Sequence, residues 1–216
     1  MKLYDSLGPN PRMVRMFLIE KGLELESVEF DLLGGENRRE PFTNRNPAGQ
    51  LPALELDDGT VIAETTVMCD YLEEFNPEPA LIGADAAQRA ETRMWTRRIE
   101  QRITEPAYNG FRFAEGLGLF QNRMRCLPEA ADGLKAVSQD GLAWLDKQMG
   151  GKEWICGDRF TVADMVLYCC VDFVGAVGQS LPEELGLLHA WRERVAARPS
   201  ASSSLHAQSA AAGMPG

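Results

Sequence analysis

The chain has 216 residues, 44% hydrophobic and 25% charged, enough for one large or two small domains with proper cores and too apolar for a wholly disordered or collagen-like polymer. Its formal net charge is −10, and residues 1–80 carry most of it with 7 Lys/Arg against 16 Asp/Glu; such a field repels phosphate backbones, so no nucleic-acid partner is expected. No window approaches the roughly 18 to 20 unbroken apolar residues of a membrane helix, and Met1 to Pro11 lack the apolar region of a signal peptide, so no membrane association and a cytoplasmic location are expected.

The first 80 residues alternate strand and helix signals. Lys2 to Asp5 reads as a short strand and Ser6 to Pro11 as a turn-rich loop. Residues 12–21 read as a helix with Asn10 as N-cap, Pro11 at the first helical position and Gly22 as its stop. Ser27 to Leu32 alternates as a strand. Leu51 to Leu56 and Val61 to Ala63 flank an Asp57-Asp58-Gly59 turn, a hairpin signal, and Thr65 to Phe75 is amphipathic. The order βαβαββα predicts a small mixed sheet flanked by helices.

Asn76 to Asp85, with two prolines, reads as a linker, and everything after it is helical. Met94, Trp95, Ile99 and Ile103 recur at helical spacing before Pro106, which should kink or end that helix. Leu134, Val137, Leu142, Leu145 and Met149 form the next apolar stripe. Thr161 to Val177 is apolar nearly all round and predicts a buried central helix, opened by a capping box of Thr161 and Asp164. Leu188, Trp191 and Val195 mark a last helix, stopped by Pro199. The remainder, rich in Ser and Ala, offers little to bury and is expected to be a frayed tail.

The five cysteines (Cys69, Cys126, Cys156, Cys169, Cys170) include no CxxC pair, and His189 and His206 are the only histidines. No metal centre, disulfide framework or histidine-based triad is expected. The absence of GxGxxG and GxxxxGK[ST] argues against a nucleotide cofactor. Cys169 and Cys170 lie in an apolar helical run facing different directions, and are expected to be structural thiols. An anionic ligand of the acidic first segment would need a local basic cluster, for which Arg12, Arg15, Arg38 and Arg39 are candidates.

Three blocks in order, Asn46-Pro47-Ala48-Gly49-Gln50-Leu51-Pro52-Ala53-Leu54, then Ala63-Glu64-Thr65, then Trp154 to Asp164, carry a family likeness. Over about 200 residues the sequence resembles the cytosolic glutathione S-transferase superfamily, as a bacterial member of Ser/Asn type rather than Cys type. The resemblance implies an α+β thioredoxin-like glutathione-binding domain (βαβαββα) at 1–76, a linker at 77–85, an all-α helical domain at 86–199 and a flexible tail at 200–216. It also implies glutathione as co-substrate, a small electrophile as second substrate, a homodimer and a role in detoxification.

By that resemblance, Leu51 before a cis Pro52 pairs its backbone with the cysteinyl backbone of glutathione, next to Gln50. Glu64 and Thr65 hold the γ-glutamyl end, through the amine and through free N–H groups at a helix N-terminus. Arg38 takes the glycyl carboxylate, and Tyr108 and Phe111 line the hydrophobic co-substrate site, with Phe113 nearby. No cysteine precedes Cys69, so thiol activation falls to Asn10 or Ser6; Tyr4 points into the core. Taken alone, Pro52 reads as an edge-strand proline, Thr65 and Asn10 as ordinary caps, Arg38 and Arg39 as solvated charges. The alternatives to a transferase are a glutathione-dependent disulfide reductase, a lyase cleaving an ether or halide, and a non-catalytic interaction protein of the same fold.

Overall fold

The computed structural model describes all 216 residues, Met1–Gly216. The first half runs β1 (Lys2–Asp5), α1 (Pro9–Lys21), β2 (Glu26–Glu29), a 3-10 turn at Glu36–Arg38, α2 (Phe42–Arg45), β3 (Ala53–Glu55), β4 (Val61–Ala63) and α3 (Thr65–Phe75). The sheet order is β2-β1-β3-β4, with β1 parallel to β2 and antiparallel to β3. Because side chains alternate along a strand, Leu3 and Leu54 enter the main core with Phe17 and Met68, while Tyr4 and Ala53 face the opposite side with Phe42. Helices therefore cover both faces, and Tyr4 is buried as expected, its hydroxyl bonded to Glu55 and Arg45.

Two strands are shorter than their sequence patterns. After Phe30 donates to the Asp5 carbonyl at 3.0 Å, Leu32 turns back onto the Phe30 carbonyl at 2.9 Å and ends the β2 ladder. Pro52 has no N–H for the sheet, so β3 begins at Ala53. The start of α1 is also displaced. The helix begins at Pro9 behind Gly8 at φ 138°, and Pro9 and Pro11 occupy first-turn positions whose N–H groups would have had no helical partner. Asn10 is thus inside the first turn and is not the N-cap. Gly22, at φ 64°, closes the helix as expected, with Gly22 N–H donating to Ile19 and Leu23 N–H to Leu18.

The second half is helical: α4 (Ala86–Ile99), α5 (Glu105–Phe113), α6 (Leu117–Phe120), α7 (Ala131–Gln148), α8 (Val162–Ala176), α9 (Gly186–Ala196), α10 (Pro199–Ser203) and α11 (Ser209–Ala212). Pro106 does not end its helix: a π turn at Glu100–Thr104 joins α4 to α5 and leaves Pro106 in the first turn of α5. The widened turn accommodates both the missing N–H and the ring. Val137 departs from its expected stripe and is 50% exposed, whereas Leu142, Leu145 and Met149 are buried. No helix is long and apolar enough to cross a membrane.

Helix α8 is buried along nearly its whole length, and one apolar cluster runs from Leu3 and Phe17 through it to Trp191. The predicted capping box is present. Asp164, wholly buried, accepts from the Ile155 and Thr161 N–H groups and from the Trp191 indole at 2.9–3.0 Å. The connection between halves is equally fixed: buried Glu73 accepts from the N–H groups of Leu81, Ile82 and Gly83, and Lys21 reaches it at 3.3 Å.

The expected frayed tail is packed instead. Ala201 and Ser204 are buried, their carbonyls accept from Arg12 and Arg15 at 2.9 Å, and His206 meets Glu29 at 2.7 Å. Small side chains offer little apolar area, but they let the chain come close enough for its carbonyls to satisfy buried guanidinium groups. Arg12 and Arg15 are spent in this way, together with Asp172 and Asp5 at 2.6 Å, so neither is the free anion-binding cluster their positions suggest.

Two predictions follow from this packing. Asp164→Asn should lower the unfolding free energy at neutral pH by about 2–3 kcal/mol in chemical denaturation, since an amide cannot accept from all these donors. Burial raises the Asp164 carboxyl to about 6, so the folded chain keeps a proton that the unfolded chain releases. The wild-type advantage should be largest near pH 4 and narrow as pH rises through 6. Burial pushes the Cys169 and Cys170 thiols up to about 12. Replacing both by Ala should lower Tm through lost packing while leaving turnover per folded molecule intact, and selective loss of turnover would mark a redox pair.

Candidate functional site

Where the two halves face each other, they enclose three adjoining cavities of about 320, 80 and 40 Å³. The smallest is bounded by Gln50, Leu51, Pro52, Glu64 and Thr65, all from the sheet side. The second adds Glu100, Thr104 and Glu105 from the π turn and the start of α5. The largest lies between Ser6–Pro11, Asn37, Arg38 and Leu51 on one wall and Tyr108, Phe111, Arg112, Phe120, Arg123 and Phe173 on the other. Asn10 alone lines all three.

Asn10 reaches this junction because the Gly8 backbone and the two prolines start α1 two residues earlier than its sequence suggests. No side chain caps α1, so the partly exposed Asn10 amide sits in its first turn with the positive end of the helix dipole behind it. Ser6 also borders the largest cavity, but it is wholly buried and its hydroxyl donates to the Leu7 carbonyl at 3.3 Å.

The Leu51-Pro52 bond is cis. No backbone hydrogen bond engages the Leu51 N–H or C=O. Leu51 therefore offers one donor and one acceptor to the cavities, as an unpaired strand edge does. The Gln50 carbonyl is held by Asn46 Nδ2 at 2.9 Å, and Asn37 Nδ2 holds the Gly49 carbonyl at 2.7 Å. Gly49 has φ 58°, and a Cβ there would lie 2.9 Å from the Asn37 carbonyl oxygen, which accounts for the glycine in the Asn46–Gln50 turn.

Glu64 is the one non-glycine residue with positive φ, at 70°. It is the N-cap of α3, and Thr65 is the first helical residue rather than the cap. No side chain caps this helix either, which leaves its first N–H groups open beside the Glu64 carboxylate. Burial and, among its neighbours, the Glu105 and Glu64 charges raise the pKa of Glu100. This end of the site is acidic.

The other end is basic. Arg38 gives one bond to the Ala48 carbonyl at 3.1 Å, and its Nε is buried without a partner. Burial lowers its pKa, as do the charges of Arg123 and Arg112. Arg39 turns away and donates to the Gly34 carbonyl. Tyr108 and Phe111 lie on the cavity wall as expected, whereas Phe113 is buried outside it. Asn37, Arg112, Phe120, Arg123 and Phe173 escaped the sequence reading; Arg112, one residue past Phe111, carried the nearest signal. A polarised cleft of this kind suits an elongated zwitterion, with its ammonium at Glu64, a carboxylate at Arg38 and its centre beside Leu51 and Asn10.

Comparison with known proteins identifies the family of the fold. The family model described as glutathione S-transferase, N-terminal domain, matches residues 7–74, and that described as glutathione S-transferase, C-terminal domain, matches residues 126–199. The chain is 34% identical over 209 residues to glutathione S-transferase 2 of Saccharomyces cerevisiae, covering 93% of this chain and 87% of that protein. It is similar to the crystal structure of a glutathione S-transferase domain-containing protein of Marinobacter aquaeolei, at 38% identity and a TM-score of 0.88 over 93% of this chain and 99% of that one. It is similar also to the β-etherase LigF of Sphingobium sp., at 26% identity and a TM-score of 0.79 over 94% and 97% of the two chains. With matches to both domain models and a curated relative aligned along nearly its whole length, the chain belongs to the glutathione S-transferase family.

Proposed function

We propose that the protein is a glutathione transferase that activates the glutathione thiol at Asn10 for attack on an electrophile bound against Tyr108 and Phe111. The observation that carries this reading is the placement of Asn10: an uncommitted amide at the junction of three cavities, on a helix N-terminus. Glutathione lies along the sheet side. Its cysteinyl backbone pairs with Leu51, flanked by Gln50 and Pro52; its γ-glutamyl end meets Glu64 and Thr65; its glycyl carboxylate meets Arg38.

The Asn10 amide donates to the thiolate, and the helix dipole adds to its stabilisation. Lowering a thiol from about 8.5 to about 6.5 requires roughly 2.7 kcal/mol, within reach of one charge-assisted hydrogen bond and a helix end. The thiol proton leaves to solvent, the sulfur forms a bond to the electrophilic carbon, and the leaving group departs with its electron pair. Beyond activation, the protein accelerates the reaction by holding the two partners together. Ser6 is the second candidate activator, less favoured because its hydroxyl is already engaged. Cleavage of an aryl ether by the same thiolate is the alternative reaction, supported by the likeness to the β-etherase. A homodimer is part of the proposal, supported by Val67, Phe75 and Met94, which stay exposed on α3 and α4.

Two measurements test the assignment. By calorimetry, Glu64→Ala should weaken glutathione by about 1–3 kcal/mol and Thr65→Ala by about 1 kcal/mol, since the latter removes a hydroxyl but keeps the backbone N–H. Unchanged affinity in both would remove the γ-glutamyl site. In the second, the ultraviolet absorbance of bound thiolate should titrate well below the roughly 8.5 of a free thiol. Asn10→Ala should raise that midpoint and slow turnover about 10-fold to 100-fold. Asn10→Asp suits the first turn of a helix electrostatically yet offers no donor, so it should keep Tm and lose activity. Full turnover in Asn10→Asp, with loss in Ser6→Ala, would move the role to Ser6.

A further inference from the structure

The largest of the three cleft cavities has a composition opposite to that of the chain around it. The protein carries 32 acidic against 22 basic residues, yet none of the eighteen residues lining this space is acidic, and three are arginines: Arg38, Arg112 and Arg123. None of the three takes part in any ion pair of the structure. Each is held by one neutral acceptor: Arg38 by the Ala48 carbonyl at 3.1 Å, Arg112 by Asn109 Oδ1 at 3.0 Å and Arg123 by the Leu33 carbonyl at 3.0 Å. Most guanidinium donors therefore remain unused, and the buried Arg38 Nε has no partner at all.

Charge counting separates the three. Glutathione, on the reading above, brings one glycyl carboxylate to this end of the cleft, and Arg38 on the sheet-side wall takes it. Arg112 stands on the opposite wall, where the second substrate binds, and Arg123 reaches from that wall across to the Leu33 carbonyl of the sheet-side loop, near the Asp31 charge. They are interleaved with rings: the Arg112 guanidinium lies 5.8 Å from the Tyr108 centroid and 5.7 Å from that of Phe120, and Phe111 packs edge-on against Phe120 and Phe173 at 6.1 and 5.0 Å. A wall that alternates aromatic rings with unpaired guanidinium groups recognises a flat ring that bears an anion, and the planar fork of Arg fits a carboxylate in particular.

We infer that the second substrate is an aromatic electrophile bearing a carboxylate, with Arg112 and Arg123 as the residues that select for that group. This rests on the glutathione reading for the role of Arg38 and names the substrate class of the same site. The reaction balances as before: sulfur bonds to the ring carbon, the bond to the leaving group breaks, and the leaving group carries away the electron pair. The aryl carboxylate is untouched and serves only for recognition.

Two unreactive ligands test the inference, 3,5-dinitrobenzoate and its neutral counterpart 3,5-dinitrobenzamide, titrated calorimetrically with and without saturating S-methylglutathione. The benzoate should bind at least about 10-fold more tightly, or about 1.4 kcal/mol, and the preference should shrink with added salt. In the Arg112→Gln/Arg123→Gln double variant the ratio should fall toward one. Equal affinities in the wild-type protein, or an unchanged ratio in the folded double variant, would overturn the inference; glutarate binding as tightly as the benzoate would overturn its aromatic half. The wild-type comparison decides even if the variant does not fold. Turnover of 4-chloro-3,5-dinitrobenzoate with glutathione then separates the two levels. A protein that prefers the benzoate but releases no chloride refutes the transferase reading alone, whereas one that consumes the chloro-amide and binds both unreactive ligands equally refutes the carboxylate alone.

Discussion

The geometry of the cleft depends on one buried cation. Arg12, 2% exposed, projects from α1 into the helical half, where it pairs with Asp172 at 2.6 Å, donates to the Ala201 carbonyl at 2.9 Å and lies 5.3 Å from the Tyr168 ring centroid. It joins three elements, α1, α8 and α10, two residues beyond Asn10. A buried ion pair is weak evidence for net stability, because two charges have lost their water, but removing one partner strands the other. Its consequence here is positional. The first turn of α1 cannot shift against α8 without breaking these contacts, so the walls of the cleft hold a fixed separation.

The groups that hold the fold and the groups that face the cleft differ in how their polar atoms are used. Arg12, Arg15, Glu73 and Asp164 make their ion pairs and hydrogen bonds to groups within the chain. Asn10, the Leu51 peptide, the opening N–H groups of α3 and the donors of Arg38 are left open, and they converge on one space. Buried polar groups are almost always satisfied, so open donors and acceptors that converge on one space suit an external ligand.

The same cleft carries an electrostatic gradient that the overall charge conceals. Glu64, Glu100 and Glu105 crowd one end, while Arg38, Arg112 and Arg123 crowd the other. Low-dielectric walls preserve such a gradient over a short distance, so a ligand with opposite charges at its two ends is oriented before it is held. The aromatic wall lies at the basic end, beyond the Asn10 amide, and on the reading proposed above it sets the polarity of the second substrate as well as its shape.

The sequence by itself determined what local chemistry controls: the βαβαββα order and the helical remainder, the Gly22 stop, the Thr161–Asp164 capping box, the hairpin at Gly59 and the sheet-side segments at Gln50–Pro52 and Glu64–Thr65 that line the cleft. Each depends on residues within a few positions of one another, where propensity, capping and turn geometry act. Tertiary structure decided whatever required partners distant in the chain. Asn10 became a free side chain because α1 starts at Pro9 behind a glycine, the apparent frayed tail became ordered because Arg12 and Arg15 needed its carbonyls, and Pro106 stayed helical because a π turn opened before it. Arg38, Arg112 and Arg123 meet only when α5 and the loop after α6 close over the sheet. Nothing in their spacing along the chain announces that meeting, since a guanidinium left unpaired in the folded protein looks, in a sequence, like any other surface charge.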